Sequence, residues 1–107
     1  MVKYIENQAQ FDQALKDAGG KLVVVDFTAT WCPPCRSIGP KFKGHSENPE
    51  FSSVVFLKVD VDEASDVSEN CKIGSMPTFH FYKNGKKIDE FSGADENKLL
   101  KKLHQHK

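Results

Sequence analysis

Two cysteines separated by two prolines, Cys32-Pro33-Pro34-Cys35, are the residues of this chain best suited to chemistry. They follow a short apolar run, Leu22 to Phe27, and precede a segment with helical spacing, so the motif lies where a strand meets a helix. If Cys32 is the N-cap of that helix, its side chain faces unpaired N–H groups and the positive end of the helix dipole. Both favour the thiolate, the nucleophilic form of cysteine. The pattern predicts a redox-active dithiol.

The spacing of the two cysteines also fits a disulfide across one helical turn. Cys35, at the third helical position, lies about 4.5 Å further along the helix axis than Cys32. A disulfide that closes a four-residue ring stabilises the fold by only about 2 kcal/mol, which is little for a purely structural disulfide. An easily opened ring at an exposed helix end is the favoured interpretation. A zinc half-site is the other alternative, and it needs two more soft ligands. We expect no metal, because Cys71 is the only further cysteine and no paired spacing links the histidines, His45, His80, His104 and His106.

Asp26 is an ionisable residue inside the apolar run. Both alternation classes of that run are apolar, which is typical of a central strand covered on both faces. An acid there is costly unless it is paired or protonated. Desolvation would raise its pKa and suit it to proton transfer with Cys35; the alternative is a hydrogen-bonded structural acid. Lys58, in a neighbouring strand, would modulate Asp26 or extend its ammonium to solvent.

The rest of the chain supplies the elements that position these residues. Hydrophobic periodicity predicts five strands and four helices, with a βαβαβ half followed by an antiparallel hairpin and a last helix. The hairpin turn is Asn84-Gly85, and Gly44 to Ser53 is predicted to be a loop. The predicted strands are Val2 to Ile5, Leu22 to Phe27, Val54 to Asp60, Thr78 to Tyr82 and Lys86 to Phe91.

Length and composition limit the classes of protein that this chain can be. With 107 residues we expect one domain, residues 1–107, acting as a monomer. The formal net charge is zero and basic residues are dispersed, which argues against nucleic acid or a membrane as partner. The termini show no signal peptide, retention signal or lipidation motif. With three cysteines, this favours a reducing compartment, and the expected location is cytoplasmic.

Four stretches together resemble the thioredoxin family, specifically its vertebrate-type cytosolic members: LVVVDF, WCPPC, SMPTF and FSGA. The resemblance extends from VKYIE through the last helix. It implies an α/β fold, a mixed five-stranded sheet flanked by four helices. It also implies a thiol–disulfide oxidoreductase that reduces protein disulfides and serves cell redox homeostasis. Electrons would come from NADPH through a thioredoxin reductase, with no bound cofactor besides the Cys32–Cys35 disulfide.

The resemblance also implies residue roles. Cys32 is the attacking thiol, Cys35 the resolving thiol and Asp26 the buried acid that handles the Cys35 proton. Trp31 is expected to form a docking surface with its N–H on Asp62; the alternative is ordinary packing. A cis bond is expected at Met76-Pro77. The remaining substrate-binding positions are Pro33, Pro34, Ser75, Met76, Pro77, Ser92, Gly93 and Ala94, with Lys58, Asp60 and Asp62 in supporting positions.

Two departures from the family pattern matter. Pro33 stands where the family usually has Gly, which bears on reduction potential and partner preference. Ala64 and Ser75 stand where vertebrate-type relatives often carry further cysteines. A second intramolecular disulfide beside the active pair is therefore impossible. Cys71 is either a buried small hydrophobe or a regulatory thiol.

Two other functions remain open. A secretory oxidase or isomerase is disfavoured by the missing signal and retention sequences. A non-enzymatic module whose reduced face binds a signalling protein is compatible with the same surface, and substrate turnover distinguishes it from a reductase.

Overall fold

The computed structural model describes residues 1–107 and contains five strands and four α-helices. In chain order these are β1 Val2–Ile5, α1 Gln8–Ala18, β2 Val23–Thr28, α2 Pro33–Ser46, β3 Val55–Asp60, α3 Ser65–Asn70, β4 Thr78–Lys83, β5 Lys86–Ser92 and α4 Glu96–His106. A short 3-10 helix, Pro49–Phe51, lies between α2 and β3. None of the helices combines the length and the apolar character needed to cross a bilayer.

The strands form one mixed sheet in the order β1-β3-β2-β4-β5. β2 lies at the centre, parallel to β3 and antiparallel to β4, and all six of its residues are buried. β1 is parallel to β3, and β5 is antiparallel to β4. The predicted fold class, a mixed five-stranded sheet flanked by four helices, is confirmed.

The two faces of β2 support two separate cores. Val23, Val25 and Phe27 face α1 and α3, whereas Val24 belongs to the cluster built on α2 and α4. Side chains alternate between the two faces of a strand, so Asp26 lies on the same face as Val24. The acid is thus on the side of the sheet that is covered by the helix bearing the cysteines.

Local chemistry explains several element ends. Asn7 Oδ1 accepts the N–H of Gln10 at 2.9 Å and caps α1, and Gly19 ends that helix with a φ of 58°. Asn84 and Gly85 have φ values of 54° and 77°, and a type I′ hairpin turn requires positive φ at both positions. The predicted hairpin is confirmed.

The prediction of a loop over Gly44 to Ser53 was wrong in part. α2 continues to Ser46, and Pro49–Phe51 forms the 3-10 helix, capped by Asn48, whose side chain accepts the N–H of Glu50 at 2.9 Å. Phe51 is only 1% exposed and packs in the α2/α4 core. Burial of this aromatic ring orders a segment whose residue types favour turns. On α4, Leu99 and Leu103 are buried in the same core, and Leu100 is only partly buried against it.

Candidate active site

Cys32 is the N-cap of α2. Its Sγ accepts the backbone N–H of Cys35, with 3.3 Å between nitrogen and sulfur. Pro33 and Pro34 occupy the first two helical positions and carry no N–H, so the Cys35 amide is the first donor of the helix. Cys32 and Cys35 form a disulfide with their Cα atoms 5.3 Å apart. The predicted N-cap and disulfide are present.

The disulfide is less exposed than the sequence predicts. Cys32 is 4% and Cys35 is 3% exposed, so the cysteines themselves are buried, although Pro33 and Pro34 at the same helix end are exposed. Ala29, Val61 and Met76 pack around the two cysteines. These residues come from three separate connections at the carboxyl edge of the sheet, and their convergence is a non-local effect. The sulfur atoms are therefore approached past these loops.

Asp26 is enclosed and unpaired at one oxygen. The residue is 1% exposed, and its Oδ1 is buried with no hydrogen-bond partner. No backbone or side-chain group of the protein donates to this oxygen, which favours the desolvated acid over a structural acid hydrogen-bonded to the protein. Burial raises the pKa of Asp26 to about 7, and the nearby Lys58 charge opposes that rise. A carboxyl with a pKa near neutral can both accept and release protons at physiological pH.

Lys58 is the register partner of Asp26 on β3 and is half-buried. Its Nζ lies 5.4 Å from the centroid of the Tyr4 ring on edge strand β1. The ammonium group thus reaches the sheet edge while its charge still lowers the pKa of Asp26. The two alternatives for Lys58, modulation of the acid and extension toward solvent, are therefore compatible.

Trp31 is exposed and held by one polar contact. The side chain is 61% exposed, which contradicts ordinary packing. Its Nε1–H donates to Asp62 Oδ2 at 2.8 Å, the partner that was expected from the resemblance. An indole in this state presents apolar surface at a fixed orientation beside the disulfide.

The segment that precedes β4 completes this face. The Met76-Pro77 bond is cis, as expected, and the Gly93 N–H donates to the Pro77 carbonyl at 2.9 Å. That bond joins the loop before β4 to the residue after β5. Neither the N–H nor the C=O of Met76 enters a backbone–backbone hydrogen bond. Around Met76, Pro77 is buried and the other predicted positions are exposed: Pro33, Pro34, Ser75, Ser92, Gly93 and Ala94.

A groove of about 870 Å³ is lined by Cys35 and extends between β1, β3 and the length of α2. Cys35 and Lys58 both line it, as do Tyr4 and Arg36. Tyr4 and Arg36 are not among the residues that the sequence predicts for the site. An exposed aromatic residue on an edge strand is a weak signal, and the approach of β1 to α2 is visible only in the fold.

Cys71 lies on the other face of the sheet from Asp26, packed against the α1/α3 cluster. It is half-buried, with its Sγ 3.7 Å from the Tyr82 hydroxyl oxygen. Burial raises the pKa of this thiol, which lowers its thiolate fraction. Cys71 is therefore less buried than a core hydrophobe, and a regulatory role stays a prediction. No group of three or more His, Cys, Asp or Glu residues is arranged to hold a metal ion.

The geometry defines the class of the protein. A cysteine pair that closes a ring at a helix N-terminus, on the face of the sheet that also holds an acid with a near-neutral pKa, performs dithiol–disulfide chemistry. The chain is a thiol–disulfide oxidoreductase.

Comparison with known proteins agrees. The thioredoxin family model matches residues 2–105, and the chain belongs to the thioredoxin family. It is 64% identical to a thioredoxin of Ictalurus punctatus over 107 residues, with 100% of both chains covered. A human thioredoxin is 54% identical over 99 residues, covering 92% of each chain. The structure of Fasciola hepatica thioredoxin matches at a TM-score of 0.94 and 40% identity, covering 98% of this chain and 99% of that one.

Proposed function

We propose that this protein is a general protein disulfide reductase that is recycled by a thioredoxin reductase with electrons from NADPH. The observation that carries the proposal is the Cys32–Cys35 disulfide with Cys32 at the N-cap of α2. The relatives named thioredoxin, 54–64% identical over nearly the whole chain, support the same activity. The proposed setting is the cytoplasm, where a single-domain monomer would maintain cell redox homeostasis.

The chemical step is a pair of exchange reactions. In the reduced protein, the Cys32 thiolate attacks one sulfur of a substrate disulfide; the other substrate sulfur leaves as a thiolate and takes up a proton. Cys35 then loses its proton and attacks Cys32 Sγ, which releases the second substrate thiol and closes the ring. Two electrons pass from the dithiol to the substrate. Asp26 is the proposed acceptor of the Cys35 proton, because its pKa of about 7 permits transfer in either direction.

The proposed substrate surface is built on Met76. Its free N–H and C=O provide one antiparallel pairing site for an extended substrate backbone. Trp31 offers an apolar wall on the same active face. Because backbone pairing and apolar contact are tolerant of sequence, this surface suits many disulfide-containing proteins.

An insulin-reduction assay coupled to NADPH oxidation tests the proposal. With a vertebrate thioredoxin reductase present, we expect NADPH consumption to continue for many turnovers. Cys32→Ser should abolish it. If the wild-type protein reduces insulin with a chemical dithiol but not with the reductase, recycling by that enzyme is wrong. If it reduces insulin with neither, the reductase function itself is wrong.

The exposed Trp31 face also favours a second candidate function, redox-dependent binding of a signalling protein. Such a partner would contact the same surface only in the reduced state. Binding to the reduced protein without any turnover in the insulin assay would support this function over the reductase.

A further inference from the structure

Asp60, the last residue of β3, makes two side-chain contacts to the turn that follows it. Its Oδ1 accepts the N–H of Asp62 at 2.8 Å and the N–H of Glu63 at 3.2 Å. Its carbonyl accepts the N–H of Ala64 at 2.9 Å. One residue therefore receives three consecutive backbone donors. This is the geometry by which an aspartate fixes the conformation of a turn.

No other side chain in the turn accepts the N–H groups of Asp62 and Glu63. Ala64 is the N-cap of α3 and has no side chain that can accept a hydrogen bond. The other contacts of the turn are made by Val61, whose N–H donates to the Thr28 carbonyl at 2.9 Å and whose carbonyl accepts the Ser68 hydroxyl at 3.3 Å; both fix the start of the turn and neither reaches Asp62. The backbone position of Asp62 therefore depends on the Asp60 carboxylate.

Asp62 in turn holds the indole of Trp31. The Nε1–H bond to Asp62 Oδ2 is the polar contact that fixes an otherwise exposed ring. We propose that Asp60 is a positioning residue for substrate docking, acting on Trp31 through the backbone of Asp62. The proposal rests on the proposed function in one respect, that Trp31 contacts protein substrates.

Loss of the Asp60 carboxylate should loosen the turn and let Asp62 and the indole move together. The cysteines lie on α2, and Val61, the one residue of this turn that packs against them, is anchored to Thr28 independently of the Asp60 carboxylate, so the chemical step should be preserved. We expect Asp60→Ala to raise KM for insulin by about 5-fold, with kcat nearly unchanged. This is the effect expected when one oriented hydrogen bond, that between Trp31 and Asp62, is lost.

Trp31 is the only tryptophan of the chain, so its fluorescence reports on the indole directly. We would measure acrylamide quenching and anisotropy of the reduced protein. Asp60→Ala should increase quenching by about 2-fold and lower the anisotropy, because an indole without its fixed partner samples more orientations. Asp60→Asn should behave like the wild type, since an amide oxygen accepts the same two N–H groups. Asp60→Glu keeps the charge but displaces the carboxylate, and should resemble Asp60→Ala.

A double-mutant cycle separates positioning from general destabilisation. Asp60→Ala should have no further effect on quenching or KM in an Asp62→Ala background, because its action passes through Asp62. Glu63→Ala, which removes a neighbouring exposed charge in the same turn, is the matched control and should leave both readouts unchanged. Additive effects in the cycle, or wild-type quenching in Asp60→Ala, would overturn the proposal.

The fluorescence result does not depend on turnover. Failure of the wild-type protein to reduce insulin contradicts the proposed function alone. Normal indole quenching in Asp60→Ala contradicts the positioning role alone. Should Asp60→Ala not fold, the comparison of Asp60→Glu with Asp60→Asn tests the same geometry.

Discussion

Asp26 and Lys58 are register partners on neighbouring parallel strands, yet only the carboxyl is enclosed. The lysine ammonium lies 5.4 Å from the Tyr4 ring centroid at the sheet edge, while Asp26 Oδ1 has no hydrogen-bond partner. Desolvation therefore outweighs the opposite charge, and the pKa of Asp26 is raised to about 7.

Replacing Asp26 with Asn should stabilise the protein at pH 8. The folded protein holds the Asp26 proton up to about pH 7, whereas the pKa of this group in the unfolded chain is 3.8. The free energy of unfolding therefore falls as pH rises between these two values. Above pH 7 the full cost of burying the ionised carboxylate is present. The gain is at most about 4 kcal/mol, from a pKa shift of about 3 units.

Urea denaturation at pH 8 and pH 4 measures this effect. The advantage of the Asn variant should be largest at pH 8 and small at pH 4. Resolution of mixed disulfides should also be slower, because the proton acceptor for Cys35 is lost. An Asn variant that is less stable than the wild type at pH 8 would refute the interpretation of a desolvated acid.

The two cysteines should show different trapping behaviour. Cys35→Ser leaves Cys32 able to attack a substrate but unable to be released, so mixed disulfides should accumulate. Cys32→Ser should accumulate none. Non-reducing electrophoresis and mass spectrometry after incubation with a disulfide-containing protein measure the adducts. Adducts on the Cys32→Ser variant and none on Cys35→Ser would reverse the roles.

Asp89 on β5 forms hydrogen bonds to two side chains of α4. Its Oδ2 accepts hydrogen bonds from Lys102 Nζ at 2.7 Å and from His106 Nε2 at 2.9 Å. These two hydrogen bonds lower the pKa of Asp89 to about 2, and the bond from Lys102 has the larger effect. An acid with a lowered pKa stabilises the fold above about pH 4, and this contribution is lost as pH falls toward 2.

Asp89→Asn should therefore destabilise the protein at pH 7 by about 1 kcal/mol, a modest effect for a partly solvated pair. The difference from the wild type should narrow as the pH is lowered toward 2. Thermal unfolding at both ends of this range measures it. Glu69→Gln, which alters an exposed carboxylate on α3, is the control. A difference that widens on acidification would contradict the assigned pKa shift.

Local patterns predicted most of the fold because they act within a few residues. The Asn7 cap, the Asn84-Gly85 turn and the apolar run of β2 each carry their own structural signal. The segment around Phe51 was misjudged because its order comes from burial in a core formed by distant residues. The same reason applies to the enclosure of Cys32, since Val61 and Met76 approach it from elsewhere in the chain. The redox chemistry of the two cysteines was predictable from their residue type, whereas the burial of their side chains was not.

α2 begins at Pro33 itself, so a later start of the helix does not relieve the strain of a residue that precedes proline. Two effects therefore oppose each other at this position. The fixed φ of proline suits the first helical position, where a missing N–H has no helical partner. A residue before proline is, however, driven away from helical ψ, and Pro34 follows.

We expect preorganisation to exceed strain, so Pro33→Gly should destabilise the oxidised protein by about 0.4–1 kcal/mol through a freer unfolded chain. The donor to Cys32 Sγ is the Cys35 amide, which this change does not remove. The reduction potential should therefore move by less than about 30 mV, equivalent to roughly 1.4 kcal/mol. Calorimetry of the oxidised forms and equilibration against glutathione measure the two quantities, with Pro33→Ala as a control that restores the N–H without the flexibility of glycine. A higher melting temperature for Pro33→Gly would mean that Pro33 is strained in the folded state.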